Sequence, residues 1–318
     1  MSRYDIVFIG TAILDSVIKG FDPEPVSVAG FRAESGSINA GGEGVNGSIA
    51  SAKLGMKSAL LCFLGKDQAG DLIEAELAKH NVDTACIVRT GEHSTPITTI
   101  FVAEDGNRKS ITNNAHSYNF HPELYADRFT DTKAIVIGSL FRAPFNDPDV
   151  IRAVVSEAHS KGIPVFADTK IPNFRRLTLD DIADSLSMID YITPNEDEAR
   201  FFTGEDEPEK MAAVFLEKGV KNVVLKLGGR GCLLMNSDET IYAAAHKIDV
   251  VDATGSGDNF MAGFVSELIR GSDVRQALAF ANACGAICAT AVGTGTALKD
   301  REQVLKMISI KKKKKRTE

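Results

Sequence analysis

Six short apolar runs recur along the chain: "YDIVFIG", "SALLCFLG", "AIVIGSL", "IPVFAD", "DYITPN" and "NVVLKLG". Each is followed by a stretch with the spacing of an amphipathic helix, and no other feature limits the fold so strongly. Short strands alternating with helices imply an α/β fold, a doubly wound, mainly parallel sheet flanked by helices, because parallel neighbours need a crossover that covers the sheet. One stretch breaks the rhythm. "STPITTIFVAEDGNRKSITNN", residues 94 to 114, alternates around a turn at Asp105 and Gly106, which reads as an antiparallel hairpin. With residues 11–40 it is expected to form a small β-sheet lid. No linker sets it apart, so residues 1–310 read as a single domain carrying that lid.

Composition excludes several classes. The chain has 318 residues, 44% of them hydrophobic and 25% charged, enough for one large α/β domain. No apolar run reaches the roughly 18 residues that span a bilayer, and "MSRYDIVFIG" lacks the order of a signal peptide, so a cytoplasmic location without membrane contact is expected. The five cysteines, at 62, 86, 232, 284 and 288, are odd in number and mostly flanked by apolar residues; they read as buried free thiols. Cys284 and Cys288 share a helical face, but no histidine stands near to complete a zinc site. A net charge of −7 argues against general nucleic-acid binding. The run "KKKKKR" is read as part of a solvated, disordered basic tail, residues 311–318.

Ligands of open parallel sheets gather at the carboxyl ends of the strands, which directs attention to Asp15, Asp168, Asn195, Glu198 and the glycines of "KLGGRG". Any one of them alone is also ordinary loop or cap chemistry. The most informative stretch is "VVDATGSGDNFMAGFVSELIRG", residues 250 to 271. Small residues Gly255, Ser256 and Gly257 lead into a helix, and such a turn presents unpaired N–H groups and the positive end of the helix dipole to an anion. Asp258 follows directly. A carboxylate repels a phosphate, but it suits a base that takes the proton of a hydroxyl attacking that phosphate. It also suits an acidic first-turn residue favoured by the dipole.

"DATGSGDNFMAGF" resembles the carboxyl-terminal signature of the PfkB, or ribokinase-like, family of sugar kinases, with Ala253 where threonine is usual and Ser256 where alanine is usual. "NAGGEGVNGSIASAKLG" resembles the family's amino-terminal signature, and "TPNEDEA" its N-x-x-E magnesium motif. The resemblance implies an ATP-dependent kinase acting on a primary hydroxyl of a pentose or hexose. Asp258 would be the general base, and the backbone of Gly255, Ser256 and Gly257 would stabilise the transferring phosphoryl group. Asp15, Gly41, Gly42 and Asn46 match sugar-binding positions. Asn195 and Glu198 would hold Mg²⁺ through water; Asn195, Lys226, Gly228, Gly231 and Asn282 fall at nucleotide-binding positions, and Asp252 and Thr254 at those around a monovalent cation such as K⁺. Relatives of this kind often dimerise through their lids, and "TTIFVAE" offers apolar residues for a homodimer.

Departures from the pattern concern the acceptor. Glu43 stands where many ribokinases carry lysine, and Phe141 and Arg142 of "GSLFRAP" lie where those enzymes place an acidic sugar ligand. Arg142 or Arg108 suits an anionic group on the substrate, or both are simply solvent-exposed, and Phe141 suits stacking on a sugar or base. A nucleoside acceptor and a non-catalytic sugar or nucleotide sensor are the competing readings. Two further nucleotide readings fail. "AGGEGVNGS" holds G-x-G-x-x-G in Gly42, Gly44 and Gly47 with Asp67 twenty residues on, but no apolar strand runs into it, as a dinucleotide fold requires. G-x-x-x-x-G-K-[ST] is absent.

Overall fold

The structure is a computed structural model that describes residues 2–20, 32–103, 108–113, 120–173 and 175–314; the side chains of Arg108 and of residues 310–314 also lie outside the description. Among the described residues the strands are β1 (Ile6–Ile9), β2 (Ile13–Lys19), β3 (Ser35–Gly41), β4 (Ser58–Leu61), β5 (Phe63–Gly65), β6 (Val88–Thr90), β7 (Ile97–Val102) and β8 (Arg108–Thr112). They continue with β9 (Ile135–Leu140), β10 (Val165–Thr169), β11 (Tyr191–Ile192), β12 (Asn222–Lys226), β13 (Cys232–Asn236) and β14 (Thr240–Ala243). The helices are α1 (Glu43–Lys53), α2 (Gln68–Lys79), α3 (Ala126–Phe129), α4 (Pro148–Ser160), α5 (Ala183–Leu186), α6 (Glu196–Thr203), α7 (Pro208–Glu217), α8 (Ser256–Ile269), α9 (Val274–Cys288) and α10 (Arg301–Lys314). None is long and apolar enough to cross a membrane.

Eight strands form the central sheet in the order β14-β13-β12-β11-β10-β9-β1-β4, parallel except where β13 pairs with β12 and β14. The reason is legible in β1, whose residues are all buried. Ile6 and Phe8 join the core beneath α1, α2, α8, α9 and α10, while Val7 and Ile9 join the core beneath α4, α5 and α7. A strand buried on both faces must be apolar throughout, which is why these runs stand out in the sequence. All five cysteines are free and buried, Cys62, Cys232 and Cys284 in the first of these cores and Cys86 in the second.

The lid is a separate sheet of order β3-β2-β7-β8. Its hairpin β7–β8 is antiparallel as expected, with the turn at Asp105 and Gly106 outside the described residues, and β2 pairs with β7 in parallel. Three details differ from the sequence reading. β1 runs into the lid before the first helix; "SALLCFLG" divides, β4 joining the main sheet and β5 pairing with β6; and β12 is followed by two antiparallel strands instead of a helix. α10 extends to Lys314 and so takes up the first residues of the expected basic tail, while residues 315–318 lie outside the description.

Candidate active site

The carboxyl ends of the central strands face the lid's attachment, and β10 stands between β9–β1 on one side and β11–β12 on the other. On the β1 side, lid register sets Asp15 of β2 opposite Asn39 of β3 and Thr98 of β7, with Thr112 beyond. These side chains share one face, since neighbours in register point the same way. Thr98 and Thr112 hydroxyls bond at 2.9 Å. Burial pushes Asp15 up to about 6. Gly41 stands beside it because a Cβ there would collide with the Asp15 carboxylate. Asn39, Thr98 and Thr112 were not singled out by sequence; their only signal is the two-residue period of strands whose pairing was unknown.

α1 begins at the Gly-rich segment, with Gly42 as its N-cap at a φ of 92°, a conformation that favours glycine. Glu43 turns to Thr11. Its carboxylate accepts the Thr11 N–H at 2.8 Å and the Thr11 hydroxyl at 2.7 Å, bracing the crossing from β1 into the lid. Asn46, one turn on, donates from Nδ2 to Asp258 Oδ2 at 2.8 Å. That contact joins the amino- and carboxyl-terminal signatures across 212 residues. The remaining glycines of the G-x-G-x-x-G serve packing: a Cβ at Gly47 would stand 2.6 Å from the Phe8 ring. Asp67 caps α2, accepting from Gly70 N–H at 2.9 Å and Thr95 N–H at 2.7 Å.

Asp258 lies in the first turn of α8, whose N-cap is Gly255 with a φ of 78°. Ser256 N–H turns back to Ala253 O at 3.1 Å, so the first-turn donors left open for an anion are those of Gly257 and Asp258. Desolvation pushes Asp258 up to about 6; Lys170 and the Asn46 bond pull it down, and the charges of Asp168 and Glu43 push it up. Beneath Gly257 lie Lys226 and Asp168, paired at 2.6 Å. Asp168 Oδ1 also takes the Thr193 hydroxyl at 3.0 Å, while its buried Oδ2 has no partner among the described residues.

On the β11–β12 side the named residues are bonded to one another. Asn195 Oδ1 accepts the Glu198 N–H at 2.9 Å, and Glu198 Oε2 accepts the Asn195 N–H at 2.9 Å and the Thr169 hydroxyl at 2.9 Å, a capping box at the start of α6. Lys170 Nζ stands 3.7 Å from Glu198 Oε1. Sequence reading passed over Lys170, although it directly follows "VFADT". Among the described residues no cluster of three or more His, Cys, Asp or Glu side chains is disposed to ligate a metal directly. Gly228 and Gly231 shape the turn after β12 at φ values of 56° and 101°, with open space beside Gly228. Asn282 uses Nδ2 to hold Ala243 O at 2.9 Å, pinning the end of β14 to α9. Asp252 Oδ1 accepts from Thr254 N–H at 3.0 Å and its hydroxyl at 2.6 Å, and Oδ2 takes Gly293 N–H at 3.3 Å.

One expectation about the acceptor is corrected. Phe141 is fully buried against Phe202, with ring centroids 4.2 Å apart, so it packs the core and cannot stack on a ligand. Arg142 is exposed and donates to Ile171 O at 2.9 Å. Arg108 lies in β8, its side chain outside the described residues.

The model of the pfkB family carbohydrate kinases matches residues 4–301. The chain is 27% identical to the ribokinase of Haemophilus influenzae over 84% of its own length and 87% of that protein. It is 26% identical to the ATP-dependent 6-phosphofructokinase of Thermoanaerobacterium thermosaccharolyticum over 98% of its length and 95% of the relative. Its fold is similar to that of Arabidopsis thaliana ribokinase complexed with ribose and ATP, with a TM-score of 0.84, 25% identity, and coverage of 97% of this chain and 99% of that one.

Proposed function

Because the chain belongs to the pfkB family of carbohydrate kinases and is an ATP-dependent sugar kinase, we propose that it phosphorylates a primary hydroxyl of a pentose or hexose with Asp258 as general base. The observation that carries this reading is the Asn46–Asp258 bond, which sets the base against the side chain expected to touch the acceptor. The Asp258 carboxylate takes the hydroxyl proton as that oxygen bonds to the γ-phosphorus. The bond from γ-phosphorus to the bridging oxygen breaks, and ADP leaves with the electron pair. A carboxylate raised to about 6 is still ionised at neutral pH and is a stronger base than an ordinary aspartate.

Asp15, with Asn39 and Thr98 beside it, would read sugar hydroxyls, and Gly41 and Gly42 would admit the sugar close to the backbone. The helix start at Gly255, Ser256 and Gly257 would face the γ-phosphate through the Gly257 N–H, that of Ser256 being engaged by Ala253 O, with Lys226 beneath it. Glycines 228 and 231 would give the nucleotide room along the backbone. Asn195 and Glu198, with their bonds in the capping box, suit contact to a hydrated Mg²⁺ through its waters and not direct ligation. When bound, that ion supplies charge neutralisation on the nucleotide phosphates. The turn at Asp252 and Thr254, tied to Gly293, would border a K⁺ ion. The outer lid face bears Ile38 and Ile111, 65% and 69% exposed, which suits a homodimer through the lids. Free buried thiols suit the reducing cytoplasm.

ADP release measured over a panel of pentoses, hexoses, hexose phosphates and nucleosides tests the reading. Release that depends on an unphosphorylated sugar is the expected result. Release with nucleosides alone, or sugar binding without release, overturns it.

A further inference from the structure

Lys170 stands at the junction of the two halves of the site. It follows β10 directly, and its backbone N–H donates to Leu140 O of β9 at 3.0 Å, so its position is fixed between β9 and β11. Its ammonium lies 3.7 Å from Glu198 on α6, and Asp168, Asp258 and Glu43 also act on it. Among the described residues, however, Nζ donates no hydrogen bond, whereas Lys226 Nζ bonds Asp168 at 2.6 Å. The Lys170 side chain is 31% exposed and Glu198 only 6%, so the cation, not the carboxylate behind it, meets the site. A lysine purely for neutralisation would close onto an oxygen; here three N–H donors are left open at the junction of the two sides.

We propose that Lys170 is a catalytic residue that donates to the non-bridging oxygens of the γ-phosphoryl group during transfer. This rests on the kinase reading of the site. The acceptor oxygen–phosphorus bond forms as the bridging oxygen–phosphorus bond breaks; the acceptor proton goes to Asp258 and the electron pair to ADP, while Lys170 keeps its proton throughout. Its fixed charge then acts as an arginine finger does in cis, countering charge spread over the equatorial oxygens. The location between the nucleotide side and the acceptor side is where the phosphoryl group must pass.

The test compares wild type with Lys170→Met and Lys170→Arg, using the acceptor found by the panel. The methionine variant is expected to lose at least about 10²-fold in kcat while the acceptor KM and the affinity for ADP alone stay within about threefold. Its affinity for ADP with aluminium fluoride and acceptor, which mimics the transferring group, is expected to fall at least about 30-fold by calorimetry. The arginine variant should recover at least about tenfold of the lost kcat. Unchanged kcat, a rise in acceptor KM alone, or an equal loss of affinity for ADP and for the aluminium fluoride complex overturns the proposal. Should the methionine variant melt below the assay temperature, Lys170→Gln takes the same tests with the same outcomes. If wild type shows no acceptor-dependent ADP release, it is the kinase reading that fails; if wild type turns over and Asp258→Asn does not, a fully active Lys170→Met condemns only this proposal.

Discussion

The two sides of the site differ in what their side chains already hold. At the ends of β10, β11 and β12, Asn195 is bonded to Glu198 and Lys226 to Asp168, and Asn282 is bonded to the backbone. What remains for a ligand there is largely backbone and open space beside glycine. At β1 and the lid, Asp15 and Asp258 are both raised to about 6, with desolvation as the first cause of each. A desolvated carboxylate short of donors gains when a ligand brings hydroxyls. On the proposed assignment, the nucleotide side is thus built before its ligand arrives, whereas the acceptor side is completed by the ligand.

Substitution tests that contrast in order of expected effect. Asp258→Asn is expected to lose at least about 10²-fold in kcat with nucleotide affinity retained; near-normal turnover would break the assignment of the base. The same variant should be more stable than wild type at pH 8. Asp258 carries a raised folded-state value, so its stabilising share is full below its ordinary 3.8 and is lost as pH rises through about 6. Asparagine has no such loss, and the gap in unfolding free energy, on the order of 3 kcal/mol at pH 8, should close near pH 4. Asp15→Ala should raise the acceptor KM by about 10- to 100-fold, the range of a lost hydrogen bond to a charged group, with the ATP KM little changed. An equal effect on both would merge the two sides. Glu198→Gln weakens the capping box and the Thr169 contact; a loss of about 1 kcal/mol by denaturant unfolding is expected, with ATP KM rising more than acceptor KM. Replacing Ile38 and Ile111 by serine should shift sedimentation from dimer to monomer with the smallest change in turnover. A wild type that is monomeric at micromolar concentration would remove the lid from the account of assembly.

Legibility from sequence follows the same division. Strands buried on both faces are written as apolar runs, so β1, β4, β9, β10 and β12 could be read directly. β13 and β14 could not, because antiparallel strands after a tight Gly turn carry no helical interval to mark them. Asp258 and Asn46 were readable because each sits in a compact signature, and the resemblance joined what spacing alone leaves 212 residues apart. Asn39 and Thr98 were hidden because only register makes them neighbours of Asp15. Lys170 was hidden because a single lysine after a strand has many uses, and its open ammonium is a property of packing. Phe141 misled in the opposite direction. At a φ of 76° it adopts a backbone conformation rare for a bulky side chain, and this turns the ring into the core, away from the strand-end site.

The account depends most on Asp258 acting as the base, and the pH dependence of kcat/KM for acceptor-dependent ADP formation tests this directly. Because the carboxylate must be ionised to accept the proton, the rate should climb with pH and level off, with the acid limb centred at about 6. In Asp258→Asn that limb should vanish together with at least about 10²-fold of the plateau rate. A wild-type profile flat from pH 5 to 8, or a limb that survives unchanged in the variant, would contradict it.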